Sequence, residues 1–238
     1  VPQPLRTGLR RYLLHPGEQR SIAPALGLTL LTMASVPFLL ERRWGGAVAV
    51  GLVGLSAYVA LVRTGVHGLF RRGAEVILVI STLVAAVAPN VTSAEDDPLT
   101  IVGLAVFTLL LLVTPLIVLT RIMIRPRITL DTVAGALAAY LQIGLFFGVL
   151  YRLVSLLETE PFFAQGPASA FTFMYFSFIT MTTTGYGDVT PATTTGRTLA
   201  VLEAVLGQLF LVTIVALVVS NLGQATPRGR SDAQADAR

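Results

Sequence analysis

Six stretches of this 238-residue chain are long, apolar and nearly free of charge: about 22–40, 45–62, 74–89, 99–120, 132–151 and 198–221. An α-helix needs roughly 17 to 25 such residues to cross the hydrocarbon core of a bilayer, the third stretch being marginal at its outer end. The pattern predicts six transmembrane helices. Between the fifth and sixth, residues 168–180 form a shorter apolar segment carrying Phe171, Phe173, Tyr175, Phe176 and Phe178, which reads as a re-entrant element. Ahead of the first span, Leu5, Leu9 and Leu13 recur at four-residue spacing beside Arg6, Arg10 and Arg11, the pattern of an amphipathic helix lying on the inner membrane surface. Pro2 and Pro4 confine that helix to the residues after them, and a disordered arginine-rich tail is the alternative.

Composition agrees with the pattern. Hydrophobic residues make up 54% of the chain and charged residues only 13%, against about 25% in an ordinary soluble domain. All 17 basic residues are arginine, and with the N-terminus inside, only Arg42, Arg43, Arg152 and Arg197 fall on the outer side. That bias follows the positive-inside rule, with both termini cytoplasmic. It accounts for the basic balance without a nucleic-acid partner, and makes anionic lipids candidates for contact at the inner face. Cysteine is absent, so no disulfide or thiolate metal site can form. Arginine without lysine, with abundant Ala, Val, Leu and Gly, points to a high-GC bacterial genome and hence to the bacterial inner membrane.

One run carries specific chemistry. Thr182-Thr183-Thr184-Gly185-Tyr186-Gly187-Asp188 sits between the aromatic segment and the sixth span, and it resembles the selectivity-filter signature of the potassium channel family. The likeness extends from about Asp131 to Asn221, in the order span, short aromatic helix, filter, span. It implies an all-α membrane protein of six transmembrane helices with a re-entrant pore helix and filter, assembled as a four-fold homotetramer that conducts K⁺ passively. K⁺ is then the cargo, and no organic cofactor is implied. A dehydrating K⁺ must regain oxygen ligands worth on the order of tens of kcal/mol. Backbone carbonyls can supply them if alternate residues adopt left-handed angles, which glycine does at low cost. Gly185 and Gly187 occupy such positions. By resemblance the ion sites lie at Thr183, Thr184, Gly185, Tyr186 and Gly187, with the Thr183 hydroxyl at the inner end. Thr182 and Asp188 flank them.

The same likeness assigns supporting roles. Tyr175 and Phe176 stand where many relatives have two tryptophans, and Ile179 stands where some have a buried acid. Thr184 replaces the commoner valine and adds a hydroxyl that needs a partner. The pore-helix aromatics would wedge the filter at fixed width, and four helix C-termini would place on the order of −2 charges near the waiting cation. Glu203, inside the sixth span, is expected to brace the filter through a hydrogen bond or a partner such as Arg197. Gly207 lies 22 residues after Gly185, at the family's hinge position; close packing on the pore helix is the other reading. Leu211, Val215 and Val219 share a helical face and are candidates for the cavity wall and gate.

The expected domains are an amphipathic cytoplasmic segment at 1–21, a four-helix membrane domain at 22–127, a pore domain at 128–222 and a short cytoplasmic tail at 223–238. The second resembles a voltage sensor without its charges: the fourth span, Leu99 to Thr120, has no ionisable residue, and Arg121, Arg125 and Arg127 lie at its cytoplasmic end. Voltage gating is therefore not expected. Alternatives are a potassium-uptake transporter subunit, which would carry four pore loops on one longer chain, and a weakly selective cation channel. An intramembrane enzyme would need paired catalytic groups at membrane depth, and the spans hold none.

Overall fold

A computed structural model describes residues 23–40, 45–63, 72–73, 76, 79–80, 98–124 and 130–224, with several side chains near the helix ends outside the description. The expected amphipathic segment at 1–21, most of the third span and nearly all of the 223–238 tail lie outside the described residues. Six helices run end to end among the described residues: α1 (Ala23–Leu40), α2 (Gly45–Arg63), α3 (Pro98–Ile124), α4 (Leu130–Leu157), α5 (Ala170–Met181) and α6 (Thr194–Gln224). No named strand occurs among the described residues; the two isolated bridges join Phe163 to Gly166 and to Pro191.

Among the described residues three helices contain apolar stretches long enough to cross a membrane, at Ile101–Leu119, Thr132–Leu157 and Thr194–Leu217. The described apolar stretches of α1 and α2, Pro24–Ser35 and Val48–Val59, are shorter. Helices α4 and α6 extend beyond the expected 132–151 and 198–221 at both ends. Helix α4 begins at Leu130, so Asp131 and Thr132 sit inside its first turn. Pro115 lies within α3, which runs on through it.

The chain packs as two groups of helices that share α4. Helix α1 runs against α2, α2 against α3, and α3 against α4, with α1 also reaching α4 and the short α5. Their contact surface is built from small and branched residues, with Val53, Ala57, Phe107, Leu111 and Leu145 in one buried cluster and Ala25, Val118, Ala136, Ala139 and Ile214 in another. Buried hydroxyls close on their own helices, as a chain with no water around it requires: Thr29 donates to the Ala25 carbonyl (2.8 Å), Ser56 to Val53 (2.7 Å) and Thr108 to Leu104 (2.7 Å).

The second group seats α5 between α4 and α6. Ser169 caps α5, its hydroxyl accepting from the Thr172 amide at 3.3 Å. Glycines let the α4 backbone approach: a Cβ added at Gly148 would stand 3.0 Å from the Met174 Cα, and one at Gly144 would stand 2.6 Å from the Phe178 ring. Behind α5 the buried rings of Phe147, Tyr151, Phe162, Phe163, Phe173 and Phe176 form an aromatic core with centroids 4.9 to 6.1 Å apart. Phe162 and Phe163 belong to the loop between α4 and α5, which is also tied to the segment before α6: Ala164 N–H donates to the Thr190 carbonyl (2.9 Å) and Ala192 N–H to the Phe162 carbonyl (2.8 Å).

Candidate functional site: the pore loop

The pore loop begins where α5 ends. Thr182 is the C-cap of α5, at φ −81° and ψ 0°. From there the backbone is left-handed at every second residue: Thr183 (φ 57°), Gly185 (φ 48°) and Gly187 (φ 78°). Two of these are the glycines that the sequence marks. The third, Thr183, is the one described residue other than glycine with positive φ, and it bears a steric cost of about 1 to 2 kcal/mol that a β-branched side chain makes unavoidable.

The end of α5 holds this conformation in place. Thr183 N–H donates to the Thr180 carbonyl and Gly185 N–H to the Ile179 carbonyl, each at 3.0 Å. The Thr182 hydroxyl donates to the Phe178 carbonyl at 2.6 Å. It also lies 3.0 Å from the Thr184 hydroxyl, which supplies the partner that Thr184 needs. The Thr183 hydroxyl donates to the Thr182 carbonyl at 2.7 Å. At the far end of the loop the Tyr175 hydroxyl donates to Asp188 Oδ2 at 2.8 Å, tying the loop's last residue to the middle of α5.

Residues Thr182 to Asp188 are all exposed, Tyr186 by 71%. No group of three or more His, Asp or Glu side chains gathers among the described residues as a metal centre would require. The candidate ion ligands are therefore the loop's own carbonyls and the Thr183 hydroxyl, presented on an open face of the single chain.

Glu203 is fully buried. Of the two partners expected for it, a hydrogen bond or a cation such as Arg197, the hydrogen bond is the one that forms. The Tyr151 hydroxyl donates to Glu203 Oε2 at 2.5 Å, and the Ser177 hydroxyl lies against Glu203 Oε1 and 2.7 Å from the Gly144 carbonyl. Arg197 instead turns outward and donates through Nε to the Pro191 carbonyl at 3.1 Å. Six residues along a helix place Arg197 and Glu203 on different faces, so they could not meet. Sequence reasoning missed Ser177 and Tyr151; Ser177, flanked by Phe176 and Phe178, offered the clearer signal, a small polar residue between apolar rings.

The other sequence-marked residues divide between roles. Ile179 is buried and contributes its carbonyl to the Gly185 amide, and Asp188 is held by Tyr175. Phe173 and Phe176 join the aromatic core, Phe178 packs on Gly144, and Phe171 is 38% exposed, so these rings grip the helix from several sides. Gly207 is buried against the end of α5, where an added Cβ would stand 2.7 Å from Met181 Cγ and 3.0 Å from its carbonyl oxygen. Leu211 and Val215 are exposed on α6, and the Val219 side chain lies outside the described residues.

Comparison with known proteins places this region. Residues 136–224 match a family model described as "Ion channel". A 71-residue segment, 30% of the chain, is 44% identical to Probable potassium channel protein 2 of Methanocaldococcus jannaschii and spans 18% of that protein. No solved structure matches. Residues 136–224 thus resemble an ion-channel domain, and the likeness to the potassium channel family is upheld.

The Tyr175 hydroxyl is pushed above the usual phenol range, first by its hydrogen bond to the Asp188 carboxylate. A raised value means that the bond is intact at neutral pH and is lost only as pH rises through the alkaline titration of Tyr175. Tyr175→Phe should release the outer end of the loop, seen as faster amide hydrogen exchange at Gly187 and Asp188, with the rate in α4 unchanged.

Proposed function

We propose that the chain is one of four identical subunits of a K⁺-selective channel, with Thr183, Thr184, Gly185, Tyr186 and Gly187 lining its filter. The observation that carries this is the alternation of left-handed φ at 183, 185 and 187 within the Thr-Thr-Gly-Tyr-Gly-Asp run. Alternation of that kind is what lets successive carbonyls face one axis and replace the water of a cation. One loop per chain supplies a quarter of such a ring, so closed four-fold symmetry completes it. Apolar residues exposed along α6, among them Val201, Leu202, Val205, Leu209 and Val212, fit burial against neighbouring subunits or lipid. The ion-channel match at 136–224 supports a channel over an intramembrane enzyme, and the likeness to a protein named as a potassium channel supports K⁺ as the ion.

Two further features belong to the same reading. The four-helix region carries no charge within the apolar part of α3, so it offers no gating charges to the membrane field. The gate lies on the part of α6 beyond Gly207, where Val215 of four subunits forms a hydrophobic ring that stops ions by dewetting. Gly207 sits between that ring and the filter; its packing on Met181 makes it a close-contact position first and a bend second.

Purified protein in lipid vesicles should pass K⁺ down its gradient, with Na⁺ unable to replace it. Equal passage of the two ions would leave a weakly selective cation channel, and absence of flux in active-orientation controls would end the channel reading. Recordings over a 200 mV range, on the order of 4.6 kcal/mol per elementary charge crossing the field, should show a shallow dependence of opening on voltage. A slope equivalent to several charges per tetramer would refute the electrically silent domain. Val215→Ser should raise resting K⁺ conductance several-fold by wetting the inner ring; unchanged conductance would move the gate to the filter.

A further inference from the structure

Glu203 poses a problem of proton counting. It lies in a membrane-length apolar stretch of α6 and is fully buried, where an ionised carboxylate is strongly disfavoured unless a cation or several donors meet it. Both of its oxygens are taken by neutral groups, Oε2 by the Tyr151 hydroxyl of α4 and Oε1 by the Ser177 hydroxyl of α5. Arg197, the nearest arginine along α6, is turned to the Pro191 carbonyl.

Ser177 is the decisive residue. Its hydroxyl oxygen touches Glu203 Oε1 and also lies 2.7 Å from the Gly144 carbonyl. A hydroxyl has one proton and can donate to only one of these acceptors. With Glu203 as a carboxylate, Tyr151 and Ser177 supply two protons to three oxygen–oxygen contacts. One contact is then left with lone pairs facing each other. A proton on Oε1 completes all three: Oε1–H donates to Ser177, Ser177 donates to the Gly144 carbonyl, and Tyr151 donates to Oε2.

We propose that Glu203 carries its proton in the folded channel and acts as a neutral three-way clamp, a positioning residue that locks α4, α5 and α6 together directly behind the filter. Ser177 is two residues before Ile179, whose carbonyl holds the Gly185 amide, so the clamp fixes the turn of α5 from which the filter hangs. Neutrality suits the place. Conduction needs ion binding strong enough to admit K⁺ and weak enough to release it, and a buried carboxylate behind each of four loops would add a fixed attraction that the carbonyls do not need. The role rests on the channel reading; the protonated state does not.

The test uses the full-length protein in lipid vesicles, with two readouts. Infrared difference spectra between native protein and Glu203→Gln at neutral pH should show one protonated-carboxyl C=O band lost in the variant. Loss of carboxylate bands instead would overturn the proposal. Glutamine reproduces the neutral pattern, since its oxygen can accept from Tyr151 and its amide can donate to Ser177. K⁺ flux and K⁺/Na⁺ preference should therefore survive in Glu203→Gln and fall in Glu203→Ala. Collapse of flux in a folded Glu203→Gln protein would overturn the clamp. Tyr151→Phe is a second variant that keeps the acid in place: the protonated C=O band should move to higher frequency as Oε2 loses its donor, and an unmoved band would count against the arrangement. If the native protein passes no K⁺ at all, the channel reading falls while the infrared result still decides the protonation of Glu203.

Discussion

A backbone that is left-handed at every second residue does not hold itself in that shape. Regular structures repeat one pair of angles and are stabilised by repeating hydrogen bonds, whereas the alternation at Thr183, Gly185 and Gly187 excludes both helix and strand ladders. Two of the amides that the loop cannot satisfy internally are instead satisfied by the end of α5, through Thr180 and Ile179. Placement of α5 is therefore the condition on which the pore region depends. Its short length suits that placement, since twelve residues reach from the Ser169 cap to Met181 without crossing a membrane.

Placement of α5 is enforced from three directions. Glycines at 144 and 148 bring the α4 backbone into contact with it, the aromatic core fills the space behind its outer half, and Met181 at its end is pressed against Gly207 of α6. Each contact uses a different kind of complementarity: absent side chains, stacked rings, and a thioether in a notch. The polar contacts run through the same helix. Ser177 reaches Glu203 and Gly144, and Tyr175 reaches Asp188, so α5 carries hydrogen bonds both toward α4 and α6 and toward the end of the loop that follows it. Around α1, α2 and α3, by contrast, the described contacts are mostly aliphatic, with hydroxyls satisfied on their own helices.

Much of this was legible before any coordinates. Apolar stretches of membrane length announce themselves because a bilayer offers no partner to a polar side chain. Gly185 and Gly187 mark left-handed positions because no other residue adopts them without cost, and their spacing beside Thr183, Thr184 and Tyr186 is a local property of the chain. Glu203 stood out as an ionisable residue among apolar neighbours.

Its partners did not. Tyr151 and Ser177 lie 52 and 26 residues away, and their meeting depends on how α4, α5 and α6 cross, which helical periodicity leaves open. Of the two expected alternatives, a hydrogen bond and a pairing with Arg197, the second respected charge and proximity along the chain but ignored the helical face. That Thr183 joins the glycines in the left-handed region was likewise hidden, because its intrinsic preference opposes it and only the bonds from α5 overrule that preference. The sequence by itself determined which residues are apolar, which can bend backwards and which carry charge, all of them properties of single residues and their near neighbours. The tertiary structure alone decided which of them touch, because contacts between helices are set by the shapes of whole surfaces.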